Sequence, residues 1–539
     1  MRAITIYDTT LRDGNQAEDV NFSLEDKLKI ALKLDEFGIP YIEGGWPGSS
    51  PVDTAFFQEI HGYRLKSATV VAFGSTHHPG NSAKNDKNLN ALIASKAGAA
   101  AIVGKTWEVH VKEALRIASE RYLDVAADSV AYLKESFKEV FFDAEHFFDG
   151  MADSPEYAIA VLKRALEAGA DVLVLCDTNG GTMPADIAKA VRQIKKELPG
   201  ARLGIHTHND CDMAVATSLA AVEAGAEMVQ GTINGVGERT GNANLCSLIP
   251  VLELKSNGKY RCLPEDRMTM LRGVSNYVAE IANMAPFSRQ PFVGRSAFAH
   301  KGGVHVSAVN RNSALYEHIS PALVGNEQRV LLTELAGRSN IVSMARRFGF
   351  HLDKDEPVVK GLLKELKEKS SLGYDYAAAE ASVELLLLRK LARRGVRDFF
   401  NLIQFRVLET KHNTDANPQS EATVTLEVEG AIEHTAAFGD GPVNALDKAL
   451  RKALYGFYPH LKEMRLVDFK VRVLAASSDH KGTGSLVRVL IESADQDQKW
   501  VTVGVSFNII EASWQALIDS ITYKLYKDEN LKRQHKLDD

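Results

Sequence analysis

Short apolar runs alternate with amphipathic segments over the first 255 or so residues of the chain. Eight of these runs predict β-strands, because each is short, rich in apolar residues and bounded by polar loops. The predicted strands are AITIYD (3–8), PYIEGG (40–45), ATVVAFG (68–74), AAAIVG (99–104), EVFFDAE (139–145), VLVLCD (172–177), RLGIHTH (202–208) and EMVQGTIN (227–234). The apolar runs are nearly continuous, which is typical of parallel strands covered on both faces.

Helical periodicity fills the segments between these strands. In segment 23–38, for example, Ser23 is suited to cap the first turn and Gly38 to end the helix. Eight strand–helix units over about 255 residues match the size of a TIM barrel, an α/β fold whose active site lies at the C-terminal strand ends. A doubly wound open sheet is the alternative, but the loop DTTLRDGNQ (8–16) lacks the glycine-rich phosphate motif of that fold. We therefore predict a (β/α)8 barrel.

The alternation of strands and helices stops after residue 260. Proline, glycine, asparagine and histidine are frequent over 285–325, which predicts a linker with functional residues, and 356–398 predicts helices. From 402 onward, five strand-like runs and two amphipathic helices predict an α+β domain, followed by a charged tail (527–539) that we expect to be frayed. The predicted domains are a barrel (1–275), a helical linker region (276–400) and a C-terminal α+β domain (401–530).

Composition narrows the choice of partners and location. The 539 residues include 64 Lys+Arg and 70 Asp+Glu, which gives a net charge of −6. This balance lacks the excess of basic residues that is typical of nucleic-acid-binding proteins. No apolar run reaches the roughly 18 residues of a membrane span. Four cysteines without a CxxC spacing favour a reducing, cytoplasmic location.

Polar residues at the predicted strand ends suggest a metal site. His206 and His208 are two residues apart on a strand, so their side chains project to the same face. Asp13 follows the first strand and Asn242 the last, so both would share the barrel mouth with the histidines. Two imidazoles and a carboxylate suit a catalytic divalent ion. Taken alone, the two histidines could equally well be polar residues at the edge of a loop. Their expected position at the barrel mouth together with Asp13 and Asn242 favours the metal site.

Three further polar positions have a functional and a structural interpretation. Arg12 would offer a cation to an anionic substrate or oxyanion, or form a structural salt bridge. Thr178 would donate its hydroxyl to a substrate carboxylate, or cap the following helix. The pair His77-His78 stands in a loop rich in proline, glycine and asparagine, and we expect both to be solvated.

Several long motifs resemble one enzyme family over essentially the whole chain: the metal-dependent acyl-transferring TIM-barrel family that contains 2-isopropylmalate, homocitrate and citramalate synthases. The barrel motifs are DTTLRDGNQ (8–16), HTHND (206–210) and NGVGERTGNANL (234–245). The motifs beyond the barrel are FAHKGGVHVSAV (298–309), GYDYAAAEAS (373–382), GDGPVNALDKAL (439–450) and GVSFNIIEASWQAL (504–517). Within the family, KTWEVHVKEAL (105–115) and DAEHFFDG (143–150) resemble the longer citramalate synthases.

The resemblance implies an acyltransferase that condenses acetyl-CoA with pyruvate and hydrolyses the thioester to give citramalate and CoA, a step toward isoleucine. The alternative within the family is a 2-isopropylmalate synthase that uses 2-ketoisovalerate for leucine synthesis. An aldol-cleaving lyase on the same barrel is disfavoured, because such lyases lack the C-terminal domain. A sensor with an inactive barrel is disfavoured by the intact set of strand-end residues.

The resemblance also implies roles for individual residues. Asp13, His206 and His208 match metal ligands, with Asn242 a weaker or indirect one; Mn²⁺ or Mg²⁺ is favoured and Zn²⁺ is the alternative. The other matches are Arg12 at the keto oxygen, Gln16 and Thr178 in substrate binding, Glu145 near the acetyl group, and His305 and Tyr316 in deprotonation from the partner subunit.

The C-terminal domain resembles an allosteric domain, and a homodimer or higher homo-oligomer is implied. We therefore expect isoleucine to act as a feedback inhibitor that binds in this domain. The turn Gly439-Asp440-Gly441-Pro442 leads into a predicted helix, whose backbone N–H groups would hold a carboxylate. A plain turn is the alternative.

Overall fold

The described chain divides into two units. The computed structural model describes residues 1–301, 303–309, 311–330, 337–391, 398–413, 417–474 and 484–538, with the backbone alone over 303–304 and 530–538. One unit comprises 1–298 and 317–328, and the other 299–316 and 329–539. The three-domain division stays a prediction.

Eight parallel strands of the first unit close into a barrel, which confirms the predicted fold class. The closure is direct, because the first barrel strand pairs with the last and places Thr5 opposite Met228. A short strand, β1 (Arg2–Ala3), precedes the barrel and pairs with β10 (Tyr260–Arg261). The barrel strands are β2 (Thr5–Asp8), β3 (Tyr41–Gly45), β4 (Thr69–Ser75), β5 (Ala99–Lys105), β6 (Val140–Glu145), β7 (Val172–Asp177), β8 (Leu203–Thr207) and β9 (Met228–Gly231).

Helices surround the barrel. The first of them, α1 (Leu24–Phe37), has the predicted ends: Ser23 and Asp26 form a capping box, and Gly38 adopts a left-handed φ of 95°. The other helices of this unit are α2 (Pro51–Ile60), α3 (Lys87–Ala94), α4 (Ser119–Lys134), α5 (Phe147–Asp153), α6 (Pro155–Glu167), α7 (Pro184–Glu197), α8 (Ala214–Ala224), α9 (Leu245–Leu254) and α10 (Leu271–Ile281).

Side chains fill the barrel interior. The rings of Tyr7, Tyr41 and Phe141 contact one another at centroid distances of 5.1 to 6.3 Å, and Val172 and Val174 are buried in the same cluster. A barrel packed in this way is a core and not a pore. We therefore expect a substrate site at the loops and strand ends of its mouth.

The second unit contains the predicted α+β domain. Two three-stranded antiparallel sheets each pack against one long helix, and their buried faces form a shared apolar cluster around Val424, Leu446, Ile491 and Leu517. Its elements are β11 (Ala299–His300), α11 (Gly303–Val309), β12 (Arg329–Val330), α12 (Arg338–Arg347), α13 (Pro357–Ser371), α14 (Glu380–Lys390), β13 (Asn401–Thr410), β14 (Gln419–Val428), β15 (Ala431–Gly439), α15 (Pro442–Leu454), β16 (Arg465–Val473), β17 (Val487–Ala494), β18 (Lys499–Ser506) and α16 (Ile509–Asp538).

The sequence prediction of this unit was wrong in several places, and the short elements β11, α11 and β12 were not predicted. Strand β15 and helix α12 were missed; β15 is rich in alanine and polar residues, and it forms by pairing with β14, from Ser420 opposite Gly439 to Val428 opposite Ala431. The tail predicted to be frayed continues the backbone of α16 to Asp538. Residues 392–397 and 475–483, at the ends of a predicted helix and a predicted strand, lie outside the described residues.

No helix in the described ranges combines the length and the apolar character needed to cross a membrane.

Candidate active site

A cavity of about 200 Å³ opens at the C-terminal mouth of the barrel. The first barrel strand contributes Arg12, Asp13 and Gln16 through the loop that follows it, and later strands contribute the rest. The lining also includes Trp46, Phe73, Val103, Asp143, Glu145, Cys176, Thr178, His206, His208 and Glu238. Seven predicted site residues therefore lie around one cavity, as the strand-end positions indicated.

Asp13, His206 and His208 form the one cluster of potential metal ligands among the described residues. One ligand atom from each lies within 4.8 Å of the others, and all three residues are buried. The two Nε2 atoms are 3.4 Å apart, and His206 Nε2 is 3.8 Å from Asp13 Oδ2. Two imidazole nitrogens and a carboxylate oxygen converging in this way suit a divalent ion with open positions.

Electrostatics hold these three groups in the protonation states that metal ligation requires. Burial lowers the pKa of His206 and lowers that of His208 to about 4, so both imidazoles are neutral near pH 7. Burial opposes ionisation of Asp13, but Arg12 and the two histidines outweigh it and hold the pKa of Asp13 well below its usual range. The donor set therefore fits a divalent cation.

Asn242 lies behind the ligand cluster. Its Nδ2 donates to Asp13 Oδ1 at 2.8 Å and to Val236 O at 3.3 Å, while its buried Oδ1 has no partner among the described residues. A Cβ at Gly237 would lie 2.0 Å from Asn242 Nδ2, so only glycine leaves room for this contact.

A buried chain of hydrogen bonds, which sequence reasoning missed, orients His206. Gln230 is the register partner of His206 on the next strand, and its Oε1 lies 2.9 Å from His206 Nδ1. Gln230 Nε2 in turn donates to Asp143 Oδ1 at 3.2 Å. An amide oxygen only accepts, so His206 carries its proton on Nδ1 and directs the Nε2 lone pair into the cavity.

Arg12 is mostly buried, with 13% of its side chain exposed, and it is paired. Its Nε donates to Glu43 Oε2 at 2.6 Å and its Nη1 to Asp13 Oδ2 at 2.9 Å, and its guanidinium lies 4.0 Å from the Phe73 ring centroid. Burial disfavours its charge, but Glu43 and Asp13 outweigh burial and raise the pKa of Arg12. Arg12 therefore combines both of its interpretations, as the cation of a salt bridge and as part of the cavity lining.

Glu43 is a second residue to which the sequence assigned no role. It is fully buried, and its carboxylate accepts hydrogen bonds from Tyr7 Oη at 2.6 Å and from Thr9 Oγ1. Together with the bond from Arg12, these contacts use both carboxylate oxygens. Glu43 thus fixes the position of the Arg12 side chain at the cavity.

Thr178 and Glu145 are held by their neighbours at the cavity rim. Thr178 Oγ1 accepts from the His146 N–H at 2.9 Å, and the N-cap position of the following helix α7 is Met183, so Thr178 does not cap that helix. Lys105 Nζ donates to Glu145 Oε2. Gln16 Oε1 lies 3.5 Å from Arg12 Nη1.

His305 and Tyr316 belong to the second unit. Their rings stack at a centroid distance of 4.2 Å, and both side chains are exposed, Tyr316 to 45%. The prediction for His77 was wrong: it is 2% exposed, its N–H donates to Ser129 Oγ on α4 at 2.9 Å, and α4 covers its loop. His78 is exposed as expected.

Three family models match the chain in succession. The HMGL-like model matches residues 3–277. The homocitrate synthase post-HMGL domain-like model matches residues 292–372, and the LeuA allosteric (dimerisation) domain model matches residues 377–525. The barrel motifs lie within the first match, the motif at 298–309 within the second, and those at 439–450 and 504–517 within the third, whereas the motif at 373–382 begins just after the second match and extends into the third.

Curated relatives match this chain over its full length. The (R)-citramalate synthase of Geobacter sulfurreducens is 54% identical over 99% of this chain and 100% of its own length, and that of Aquifex aeolicus is 53% identical over 98% of both. The chain belongs to the (R)-citramalate synthase family. A 2-isopropylmalate synthase from Methanocaldococcus jannaschii is more distant, at 31% identity over 98% of this chain and 95% of its own.

Membership in the citramalate synthase family confirms the predicted family and the prediction of an acyltransferase.

Proposed function

We propose that this chain condenses acetyl-CoA with pyruvate and hydrolyses the resulting thioester, releasing citramalate and CoA. The observation that carries the proposal is the 54% identity to an (R)-citramalate synthase over the whole of both chains. The barrel mouth supports it with a cavity that combines potential metal ligands, the cation of Arg12 and the hydroxyl of Thr178.

The reaction forms one carbon–carbon bond and then breaks one thioester. The acetyl methyl group loses a proton, its carbon attacks the keto carbon of pyruvate, and water then cleaves the thioester. Mn²⁺ or Mg²⁺, or else Zn²⁺, held by Asp13, His206 and His208 would polarise the keto group and stabilise the alkoxide. Asn242 would support the site by fixing Asp13 Oδ1.

The chain's own residues bind and orient the reactants in this proposal. Arg12, fixed by Glu43, lies at the cavity where negative charge develops on the keto oxygen. Thr178, whose Oγ1 accepts from His146, keeps its hydroxyl proton available for the pyruvate carboxylate, and Gln16 lines the same side. Glu145 lies near the acetyl group and positions acetyl-CoA or the hydrolytic water.

His305 and Tyr316 are proposed to assist deprotonation in the active site of the partner subunit. Their stacked, exposed rings support this role, because both remain open to another chain. The match to a dimerisation domain over 377–525 supports a homodimer or higher homo-oligomer.

The alternative substrate is 2-ketoisovalerate, which the more distant 2-isopropylmalate synthases would suggest. The relatives favour pyruvate, because the citramalate synthases are 53–54% identical to this chain and the 2-isopropylmalate synthase of Methanocaldococcus jannaschii is 31% identical. Thiol release from acetyl-CoA should be measured with pyruvate, 2-ketobutyrate, 2-ketoisovalerate and 2-ketoglutarate. Pyruvate should give the highest kcat/KM, and faster turnover of 2-ketoisovalerate would refute the assignment.

Isoleucine is proposed as a feedback inhibitor that binds in the C-terminal domain. The predicted helix start is present, with Gly441 as N-cap and Pro442 in the first turn of α15. A cavity of about 560 Å³, lined in part by Ser420, Gly439 and Asp440, adjoins it. The Asp440 N–H already donates to Asn444 Oδ1 at 3.2 Å, so that group is less available to a carboxylate than the sequence suggested.

A cytoplasmic location is part of the same proposal. All four cysteines lie in the described ranges and are free thiols, as a reducing compartment would leave them.

A further inference from the structure

The two segments that resemble the longer citramalate synthases, 105–115 and 143–150, meet at the barrel mouth. Lys105 opens the first segment and pairs with Glu145 of the second, Nζ to Oε2. Strands β5 and β6 are hydrogen-bonded neighbours, and Lys105 is the register partner of Glu145 at their C-terminal ends. The strand register therefore places the two residues side by side, and the ion pair does not depend on the conformation of a loop.

Lys105 lies on the same face of β5 as a residue that lines the cavity. Val103 lies two residues earlier and lines the cavity, and alternate residues of a strand project to the same face. The backbone N–H of Lys105 donates to Tyr122 Oη at 2.7 Å, which fixes the end of the strand. Thr106 Oγ1 donates to the Glu145 carbonyl at 2.6 Å and ties the two strand ends together.

The same rim also orients the proposed pyruvate ligand Thr178. His146, directly after Glu145, has a φ of +54°, a left-handed conformation that is uncommon and costly for a residue with a side chain. In this conformation its N–H donates to Thr178 Oγ1, and its ring packs against His110 at a centroid distance of 4.4 Å. The strained residue His146 is therefore adjacent to Glu145 in sequence and hydrogen-bonded to Thr178, the two residues proposed to face the substrates.

We propose that Lys105 is a positioning residue that holds the Glu145 carboxylate at the acetyl-CoA side of the cavity. Within the described residues, the bond from Lys105 is the one hydrogen bond to that carboxylate, and it engages only Oε2. The pair is partly exposed, at 29% and 24% of the two side chains, so its contribution to stability is small. We therefore expect the ion pair to act by fixing the position of the Glu145 carboxylate and not by stabilising the fold.

This inference rests on the proposed function, and a double-mutant cycle tests it. Lys105→Met, Glu145→Gln and the double variant are compared with the wild-type full chain in the thiol-release assay. Misplacing a reacting group by about 1 Å costs on the order of 100-fold, so Lys105→Met should lower kcat about 10- to 100-fold while the KM for pyruvate changes less than about twofold. In the Glu145→Gln background, Lys105→Met should cost less than about twofold more.

Lys105→Arg keeps the charge and provides the rescue variant. It should recover activity to within about fivefold of wild type, because the pair uses a single Nζ–Oε2 contact and no bidentate geometry. An equal loss from Lys105→Met in both backgrounds would overturn the inference, as would wild-type kcat in Lys105→Met. Citramalate formation by the wild type tests the proposed function separately, so the two failures are distinguishable.

Discussion

Gln230 offers a direct test of how the barrel orients its potential metal ligands. In Gln230→Leu, the side chain keeps a similar volume but becomes apolar, so no oxygen accepts from His206 Nδ1. A proton on Nδ1 then has no acceptor, which favours the tautomer that carries its proton on Nε2. That tautomer has no lone pair to offer to an ion in the cavity.

The magnitude follows from the hydrogen bond that is lost. Binding an ion would force the proton back to Nδ1, where it would be buried without a partner at a cost of about 1–3 kcal/mol. This energy corresponds to a loss of roughly 5- to 150-fold in affinity. Changes at residues that orient metal-bound histidines typically cost about 10- to 100-fold. We therefore expect the Kd for Mn²⁺ to rise about 10- to 100-fold.

The assay is titration of the full chain with Mn²⁺, with free ion measured by electron paramagnetic resonance. The matched control is Gln193→Leu, the same substitution on the outside of the barrel in α7. Gln193→Leu should bind Mn²⁺ like wild type. A Kd for Gln230→Leu within twofold of wild type would show that Gln230 does not set the His206 tautomer.

Three further perturbations test other parts of the account. His305→Ala should lower kcat by about 100- to 10,000-fold with little change in the KM for pyruvate, and mixing it with Asp13→Asn should restore activity in heterodimers; no recovery after confirmed subunit exchange would place His305 in its own chain's site. Isoleucine should inhibit without competing with pyruvate, and competition in initial-rate kinetics would contradict a separate site. Burial raises the pKa of the Asp8 carboxyl to about 7. The folded chain therefore binds the carboxyl proton more tightly than the unfolded chain does, and the free energy of unfolding falls as pH rises from about 4 toward 7. Asp8→Asn should therefore gain Tm relative to wild type between pH 5 and pH 8, and a pH-independent difference would contradict the assignment.

The sequence contained enough information for the barrel and for the cluster of three potential metal ligands. The regular spacing of eight strand-like runs predicted the barrel. The i, i+2 spacing of His206 and His208 predicted that the two imidazoles share one face of a strand, and the structure brings them together. Asp13 could be added because the ends of parallel strands converge at one mouth. These features depend on local periodicity and on the handed topology of the fold, both of which are visible in the residues.

The residues that orient the site could not be predicted in the same way. Gln230 and Glu43 stand in strand segments that read as core, and their roles depend on which strands are neighbours and in which register. The pattern does contain a signal, because a fully polar side chain on a buried barrel strand requires a partner. His77 was mispredicted for a related reason, since its loop composition gave no sign of the cover provided by α4.

Metal-dependent condensation at the Asp13, His206 and His208 cluster is the central claim. The measurement that tests it most directly is CoA release and chiral analysis of the product from acetyl-CoA and pyruvate, before and after chelation and after Mn²⁺ is restored. We expect (R)-citramalate in equal amount to CoA, loss of both on chelation, recovery with Mn²⁺, and neither product from a folded His206→Ala variant. Undiminished turnover in the chelated enzyme or in His206→Ala would contradict the account.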